Sequence, residues 1–306
     1  MSGKRDYSLL ICADAGPQYA ESLGWQYDKF NNISSYLTKD IWIFIDTRLY
    51  DDEYESLYYI ISNNPDSKFV LTVTDPYFEL SIDQPLYKLL FKSVNLDNVL
   101  YLSRYQPTEL VKFLETIKGK QSLITLNYPY LIKNQRDFGD YTNRKNKIIF
   151  SGSISSSLYP ERYLFWRRMT RSLWRFKIDV LPHPGYPDVG MSLRHSIIND
   201  NYLDHLSGFK LMFVSPSRCS LEFLKYAECA YAGCVPIGKA PETFDQELKK
   251  YFIELHFDDL NRSLRKVFSI PGDECLDIAV GYRREMSKQR SPELLNDKLK
   301  SFLKKV

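Results

Sequence analysis

The sequence has little that would mark a disulfide-bonded, zinc-binding or membrane-spanning protein. Its 306 residues include five cysteines, at positions 12, 219, 229, 234 and 275, with neither a CxxC pair nor the spacing of a zinc site. No stretch approaches the roughly 20 apolar residues of a membrane span, and the first residues do not lead into an apolar segment of signal-peptide length. We therefore expect a cytoplasmic protein with reduced thiols, and we leave peripheral membrane contact open.

An excess of one charge sign is also missing. The net charge is +3, which by itself does not indicate a nucleic-acid partner. The content of 44% hydrophobic and 26% charged residues is that of an ordinary folded protein. No credible Asp-x-Asp metal motif is present, and adjacent carboxylates such as Asp51-Asp52 and Asp258-Asp259 point in different directions. We therefore expect no metal ion.

Apolar runs separated by segments of helical character occupy both halves of the chain. Such runs are typical of parallel strands that helices bury on both faces. The predicted strands are Tyr7–Ala13, Ile41–Asp46, Lys68–Thr74, Val99–Ser103 and Ser122–Leu126, then Lys147–Phe150, Phe176–Leu181 and Lys210–Val214. The sequence therefore predicts an α/β protein.

The two series of strands indicate two Rossmann-like domains of similar size. A polar, turn-rich segment at Asn134–Lys147 is the predicted linker. We place an N-terminal domain at residues 1–140 and a C-terminal domain at residues 141–290. Residues 291–306 have apolar side chains at helical spacing, and we expect a closing helix that crosses back to the first domain.

The stretch from Ser217 to Gly238 is the most informative part of the chain. It is predicted to form a loop, a short helix, a glycine stop and a buried strand, directly after the strand at Lys210–Val214. Ligands of parallel sheets bind at the carboxyl ends of the strands, where a helix N-terminus favours anions. An acidic residue inside such a helix suits ligand hydroxyls better than an anion.

The run from Glu228 to Pro236 resembles the donor-site segment of GT-B glycosyltransferases. The resemblance implies that Glu228 holds the ribose hydroxyls of a nucleotide-sugar. Many retaining members carry a second Glu eight residues earlier, where this chain has Ser220. Arg218 resembles the arginine that contacts the donor phosphates in exostosin-like and capsule-type members. The GT-B arrangement implies two domains that face each other across a cleft.

Two further segments are similar to donor-domain landmarks of polysaccharide glycosyltransferases. One is Phe150 to Ser153, followed by Tyr159-Pro160 and Arg162, and the other is His183 to Tyr186, followed by Tyr202 and Lys210. A small-residue loop lets backbone N–H groups approach a phosphate, and guanidinium groups bind phosphate oxygens bidentately. The predicted donor-binding residues are therefore Gly152, Ser153, Arg162, His183, Tyr186, Arg218, Ser220 and Glu228.

Five of these residues have a structural alternative. Gly152 and His183 would also suit tight turns, and Arg162 would suit a surface salt bridge. Tyr186 would also suit packing, and Glu228 a buried ion pair.

A catalytic base for the acceptor hydroxyl is predicted in the first half. Asp14 and Asp75 each follow a predicted strand, so both would lie at the carboxyl edge of the first sheet. We rank Asp14 first and Asp75 second. An Asp at this position also commonly caps the next helix or turn.

The sequence thus predicts a metal-independent glycosyltransferase whose nucleotide-sugar is a co-substrate, with no other cofactor. The expected acceptor is a glycan or a lipid-linked oligosaccharide, and a nucleic-acid acceptor is not indicated by the charge. Three alternatives stay open: a glycosyltransferase acting on modified DNA bases, a sugar-nucleotide epimerase of the same fold, and a non-catalytic nucleotide-sugar-binding module.

Overall fold

The protein is described here by a computed structural model. The structure describes residues 9–12, 17–37, 41–46, 49, 51–73, 85–103, 122–185, 194–217, 220 and 222–305. The chain divides into two compact units, Met1–Pro129 with Arg290–Val306, and Tyr130–Gln289. Within the described residues, no helix is long and apolar enough to cross a membrane.

The first unit is built on a parallel sheet with the strand order β2-β1-β3-β4-β5-β6. Its strands are β1 (Leu9–Cys12), β2 (Gln26–Lys29), β3 (Trp42–Asp46), β4 (Lys68–Val73), β5 (Val99–Ser103) and β6 (Leu123–Thr125). Its first helices are α1 (Pro17–Leu23), α2 (Asp51–Ser62) and α3 (Pro85–Ser93), and Phe30–Tyr36 forms a 3₁₀ helix.

Alternate side chains of this sheet enter two different hydrophobic cores. Ile43 and Ile45 pack with α2 and α3 on one face, whereas Phe44 between them packs on the other face against Trp25. The side chains of Ile43, Phe44 and Ile45 are all fully buried. The apolar runs of the sequence therefore reflect coverage on both faces, as predicted.

The second unit contains another parallel sheet, with the order β11-β10-β9-β7-β8. Its strands are β7 (Lys145–Gly152), β8 (Ile178–Pro182), β9 (Phe209–Val214), β10 (Val235–Gly238) and β11 (Ile253–Glu254). Its helices are α4 (Pro160–Thr170), α5 (Asn199–Ser207), α6 (Lys225–Ala232), α7 (Gln246–Lys249), α8 (Leu260–Phe268) and α9 (Gly272–Gln289). Short 3₁₀ helices lie at Ile132–Asn134, Tyr141–Asn143, Leu173–Lys177 and Phe257–Asp259.

The last helix, α10 (Pro292–Leu303), belongs to the first unit. Ser291 caps its N-terminus by accepting a hydrogen bond from the backbone N–H of Leu294 at 3.1 Å. Its buried leucines pack with α1 and Trp25, and Trp25 Nε1 donates to Asn296 Oδ1 at 2.9 Å. The predicted amphipathic helix therefore buries its apolar face against α1.

Two details of the second unit differ from the sequence-based expectation. The strand expected at Phe176–Leu181 begins only at Ile178, because Leu173–Lys177 forms a 3₁₀ helix capped by Ser172. The segment predicted as a linker, Asn134–Lys147, contains part of β7 and the 3₁₀ helix at Tyr141–Asn143.

Gly238, at the end of β10, occupies a backbone position that only glycine fits. Its φ is +129°, and a Cβ atom there would lie 2.2 Å from the carbonyl oxygen of Val214 on the neighbouring strand. Gly139 also has a positive φ, +54°, but open space surrounds its Cβ direction. A comparison of substitutions at the two glycines therefore separates the cost of backbone strain from the cost of steric overlap.

We expect Gly238→Ala to destabilise the second unit more than Gly139→Ala does. The control substitution should cost about 1 kcal/mol from the left-handed backbone alone, and the overlap should add at least about 2 kcal/mol for Gly238. Chemical denaturation of both variants, followed by circular dichroism, measures the difference. Equal losses would contradict the described packing of β9 and β10.

Candidate functional site

The candidate site lies at the carboxyl edge of the second sheet, where the strand order reverses. The chain runs from β7 to β8 on one side and then returns to place β9 on the other side of β7. Ligands of open parallel sheets bind at such a switch point. Here β7 ends at Gly152 and β9 ends at Val214, so the loops after both strands meet at the same edge.

Gly152 allows two cations to approach the end of β7. Its φ is +100°, and a Cβ atom at this position would lie 2.9 Å from Arg162 Nη1 and 3.4 Å from Lys225 Cε. A larger residue would be strained in its backbone and would displace the guanidinium. Glycine is therefore required here for the close approach of Arg162 and Lys225, in addition to any role in a tight turn.

Arg162 is buried, and no described carboxylate forms an ion pair with it. It lies in the first turn of α4, and 2% of its surface is exposed. Its guanidinium lies over the rings of Tyr159 and Phe223, at 4.7 and 5.2 Å from their centroids, and Nη1 donates to the carbonyl of Ser153 at 3.4 Å.

A second nitrogen of this guanidinium, Nη2, is buried and has no hydrogen-bond partner among the described residues. Burial lowers the pKa of Arg162. The adjacent Glu161 does not neutralise it, because Glu161 Oε1 pairs with Lys239 Nζ at 2.7 Å. A buried cation with an unpaired donor is costly. An anionic ligand would supply the missing partner.

A compact hydrogen-bond network joins α5, α6 and the end of β7. Lys225 Nζ lies 2.8 Å from Glu228 Oε2 and donates to the hydroxyl of Tyr202 at 2.7 Å. The same hydroxyl lies 2.8 Å from Ser151 Oγ and donates to Glu228 Oε2 at 3.2 Å. Burial raises the pKa of Tyr202 well above 10, so the phenol stays protonated.

Glu228 is therefore held by one of its two oxygens. Its side chain is 13% exposed, and Oε1 makes no hydrogen bond or ion pair within the described residues. The structural alternative for Glu228, a buried ion pair, is present as the contact with Lys225. It occupies only Oε2, which leaves Oε1 able to accept hydrogen bonds from a ligand.

His183 follows β8 directly, next to the end of β7 in the sheet. Its Nδ1 accepts a hydrogen bond from the backbone N–H of Gly185 at 3.0 Å, which makes the predicted turn. Burial, followed by the positive charges of Lys225 and Arg194, lowers the pKa of His183 below its ordinary value. The imidazole is therefore uncharged at neutral pH.

The structure brings five of the predicted donor-binding residues to this edge: Gly152, Ser153, Arg162, His183 and Glu228. Ser220 lies in the loop between β9 and α6 with a φ of +55°, and its side chain makes no hydrogen bond to a described residue. Asp14, Asp75, Tyr186 and Arg218 lie outside the described residues.

Several site residues were not predicted from the sequence. Lys225 lies one turn before Glu228 on the same helix face, and this i, i+3 spacing could have revealed it. Tyr159 was part of a donor-domain landmark but was not predicted as a site residue, and Phe223 had no signal of its own. Their contacts with Arg162 arise only when α4 and the α6 entrance pack together. Ser215, directly after β9, is fully buried with an unpartnered Oγ.

Among the described residues, no group of three or more His, Cys, Asp or Glu side chains could hold a metal ion.

Comparison with known proteins identifies the fold. No family model matches the sequence, and the search of curated proteins finds no match. Among solved structures, a trehalose-6-phosphate protein from E. coli, bound with UDP-2-fluoro glucose, is 14% identical with a TM-score of 0.61, over 90% of this chain and 76% of that one. A UDP-forming trehalose-phosphate synthase from Burkholderia xenovorans is 10% identical with a TM-score of 0.60, over 98% of both chains.

A further Burkholderia xenovorans synthase structure, in complex with glucose-6-phosphate, is 12% identical with a TM-score of 0.56, over 94% of this chain and 81% of that one. At such identities the likeness shows the fold. The predicted fold class, an α/β protein of GT-B type with two Rossmann-like domains, is confirmed.

Two buried arginines among the described residues of the second unit have opposite hydrogen-bond environments. Arg144 donates to four carbonyl oxygens, those of Asp137, Phe138, Ala232 and Gly233, at 2.9 to 3.1 Å. Arg162 has one long hydrogen bond and an unpartnered Nη2. Arg144 therefore stabilises the fold, whereas Arg162 is suited to a ligand.

We expect Arg162→Met to change the free energy of unfolding by no more than about 1 kcal/mol, or to raise it, because the substitution removes a buried unpaired charge. Arg144→Met should lower it by about 3 kcal/mol or more, because four carbonyls lose their donor. Denaturant titration of both variants measures the two changes. A large loss for Arg162→Met would mean that Arg162 is structural.

Proposed function

We propose that this chain is a glycosyltransferase that transfers a sugar from a nucleotide-sugar donor to an acceptor hydroxyl. The observation that carries the proposal is the buried guanidinium of Arg162, which no described carboxylate pairs, beside the Gly152 loop, with the carboxylate of Glu228 held by Lys225 and Tyr202 at the same edge. An anion partner and a hydroxyl partner are both needed to complete this site. The diphosphate and the ribose of a nucleotide-sugar supply the two together.

The diphosphate is assigned to Arg162 and Lys225. Arg162 Nη2 offers a donor that no described residue uses, and the ammonium of Lys225 has three donors, of which Tyr202 and Glu228 take two. The loop at Gly152 and Ser153 would add backbone N–H groups. These positive groups would stabilise the charge that develops on the leaving diphosphate as the glycosidic bond breaks.

The ribose is assigned to Glu228. A carboxylate beside a diphosphate is unfavourable unless it meets donors, and the ribose hydroxyls are donors. Lys225 and Tyr202 fix Oε2, so Oε1 would be aimed without a further loss of side-chain freedom.

The transfer step needs a base on the acceptor side. The acceptor oxygen forms the new bond to the anomeric carbon, the bond from that carbon to the diphosphate breaks, and the diphosphate leaves with the electron pair. The acceptor proton goes to a carboxylate, for which Asp14 remains the first candidate and Asp75 the second. We propose chemistry without a metal ion and an acceptor that is a glycan or a lipid-linked oligosaccharide.

The similar solved structures support this choice of donor. One of them is bound with UDP-2-fluoro glucose and another is in complex with glucose-6-phosphate, so the fold accommodates a uridine nucleotide-sugar and a sugar phosphate in those proteins. We therefore place UDP-sugars first in a screen of donors.

The assignment of the ribose to Glu228 predicts that substituting this residue weakens the preference for nucleotides that carry the 2′- and 3′-hydroxyls. Wild-type protein should bind its nucleoside diphosphate at least about tenfold more tightly than the 2′,3′-dideoxy form, because hydrogen bonds to a charged group are lost. Glu228→Gln should reduce this preference severalfold. The matched control is Glu222→Gln, since Glu222 is buried and accepts from Thr243 at 2.5 Å. Calorimetric titration with UDP, ADP, GDP and dTDP, and with the dideoxy forms, measures these ratios.

Thermal unfolding adds a direct screen of nucleotide-sugars. A ligand at 100 times its Kd should stabilise the protein by about 2.7 kcal/mol. If no nucleotide or nucleotide-sugar binds the folded wild-type protein, the proposed function fails. Binding without transfer or hydrolysis would favour a binding module. Isomerisation of the free nucleotide-sugar would favour an epimerase, and transfer to modified duplex DNA would favour a base-modifying enzyme.

A further inference from the structure

Two large apolar side chains of the second unit, three residues apart in the chain, are exposed. Leu173 is 87% exposed and Phe176 is 65% exposed, and both lie in the 3₁₀ helix Leu173–Lys177 between α4 and β8. Scattered apolar side chains are ordinary on protein surfaces. This pair differs because the segment that carries it is firmly held and strongly basic.

The 3₁₀ helix is anchored to α8 through its tryptophan. Trp174 stacks on Phe268, with ring centroids 5.5 Å apart and planes 10° apart, and its Nε1 donates to Asn261 Oδ1 at 2.9 Å. Lys177 Nζ lies 5.3 Å from the centroid of the Phe268 ring. The exposed residues therefore project from a fixed platform that includes α8.

Exposed cations surround this platform. Helix α8 buries Leu264 and Val267 on one side, so its opposite face is exposed to solvent, and the side chains exposed there include arginine and lysine. None of these cations forms an ion pair with a described carboxylate. The nearest acidic residues in sequence are Asp179, which pairs with Lys145 and Lys147, and Asp259, which caps α8. The cations are Arg171, Arg175, Lys177, Arg262, Arg265 and Lys266. Together with Leu173 and Phe176 they form what we term the basic apolar surface.

We propose that the basic apolar surface docks the protein onto a bilayer that contains anionic phospholipids. Exposed leucine and phenylalanine side chains can enter the boundary between headgroups and acyl chains, while unpaired Arg and Lys side chains attract anionic headgroups. The proposal concerns attachment and does not depend on the reaction that the candidate site performs.

The side-chain geometry favours a bilayer over a nucleic acid. Stacking on bases needs a free aromatic face, and each of the two rings already has one face in contact: Trp174 is stacked on Phe268, and the Arg175 guanidinium lies 4.7 Å from the centroid of the Phe176 ring. The most exposed apolar side chain, Leu173, has no ring to stack. A leucine surrounded by cations fits the hydrocarbon boundary of an anionic membrane.

The test compares two double variants that change the same kinds of side chain. Leu173→Ser with Arg175→Glu alters the basic apolar surface, whereas Ile132→Ser with Lys133→Glu makes the same changes in the exposed 3₁₀ helix Ile132–Asn134. Both change the net charge equally. Co-sedimentation of the full chain with vesicles of phosphatidylcholine, alone or mixed with phosphatidylglycerol, measures the partition coefficient, and thermal unfolding verifies that each variant is folded.

We expect wild-type protein to bind the mixed vesicles at least about tenfold more strongly than neutral ones, with a steep loss at high salt. The Leu173/Arg175 variant should lose about tenfold or more, and the Ile132/Lys133 variant about twofold at most. Equal losses in both variants, or no binding of mixed vesicles by wild type, would overturn the proposal. The proposal would also be overturned if a single-stranded oligonucleotide displaced the wild-type protein from vesicles and bound the Leu173/Arg175 variant much more weakly. That result would assign the surface to nucleic acid.

Discussion

The buried guanidinium of Arg162 constrains everything else in the second unit's site. A charged group between two aromatic rings, with one nitrogen unpartnered among the described residues, costs stability that the sheet and its two hydrophobic cores must offset. Gly152 is needed because any side chain there would overlap Nη1. The buried position of Arg162 therefore requires glycine at the end of β7. A ligand anion would offset the free-energy cost of burying the guanidinium.

Lys225 links the two parts of the proposed donor site. Its ammonium reaches Glu228 Oε2 and the Tyr202 hydroxyl, so the group assigned to the phosphates also orients the group assigned to the ribose. Ser151 ties this network back to β7 through Tyr202. A phosphate that draws on the third donor of Lys225 would leave the orientation of Glu228 intact.

Much of this arrangement could be predicted from the sequence because it follows from local pattern. Runs such as Trp42–Asp46 indicate strands buried on both faces, and a Gly–Ser loop after a strand indicates a turn at the carboxyl edge. The roles of Tyr159, Phe223 and Lys225 depend on contacts between separate elements, which no local pattern records. The predicted strand Phe176–Leu181 began two residues too early, because Phe176 and Lys177 belong to a capped 3₁₀ helix. The stacking of Trp174 on a helix almost a hundred residues later in the chain stabilises that 3₁₀ helix.

The two surfaces of the second unit lie at opposite ends of the same strand. The 3₁₀ helix with Leu173 and Phe176 leads into the amino end of β8, whereas Pro182 at the carboxyl end precedes His183 in the candidate site. A five-residue strand spans roughly 16 Å. Contact with a bilayer through the amino edge of β8 would therefore leave its carboxyl edge accessible to a soluble donor. Attachment and donor binding can thus occur together, because they use different edges of one rigid sheet.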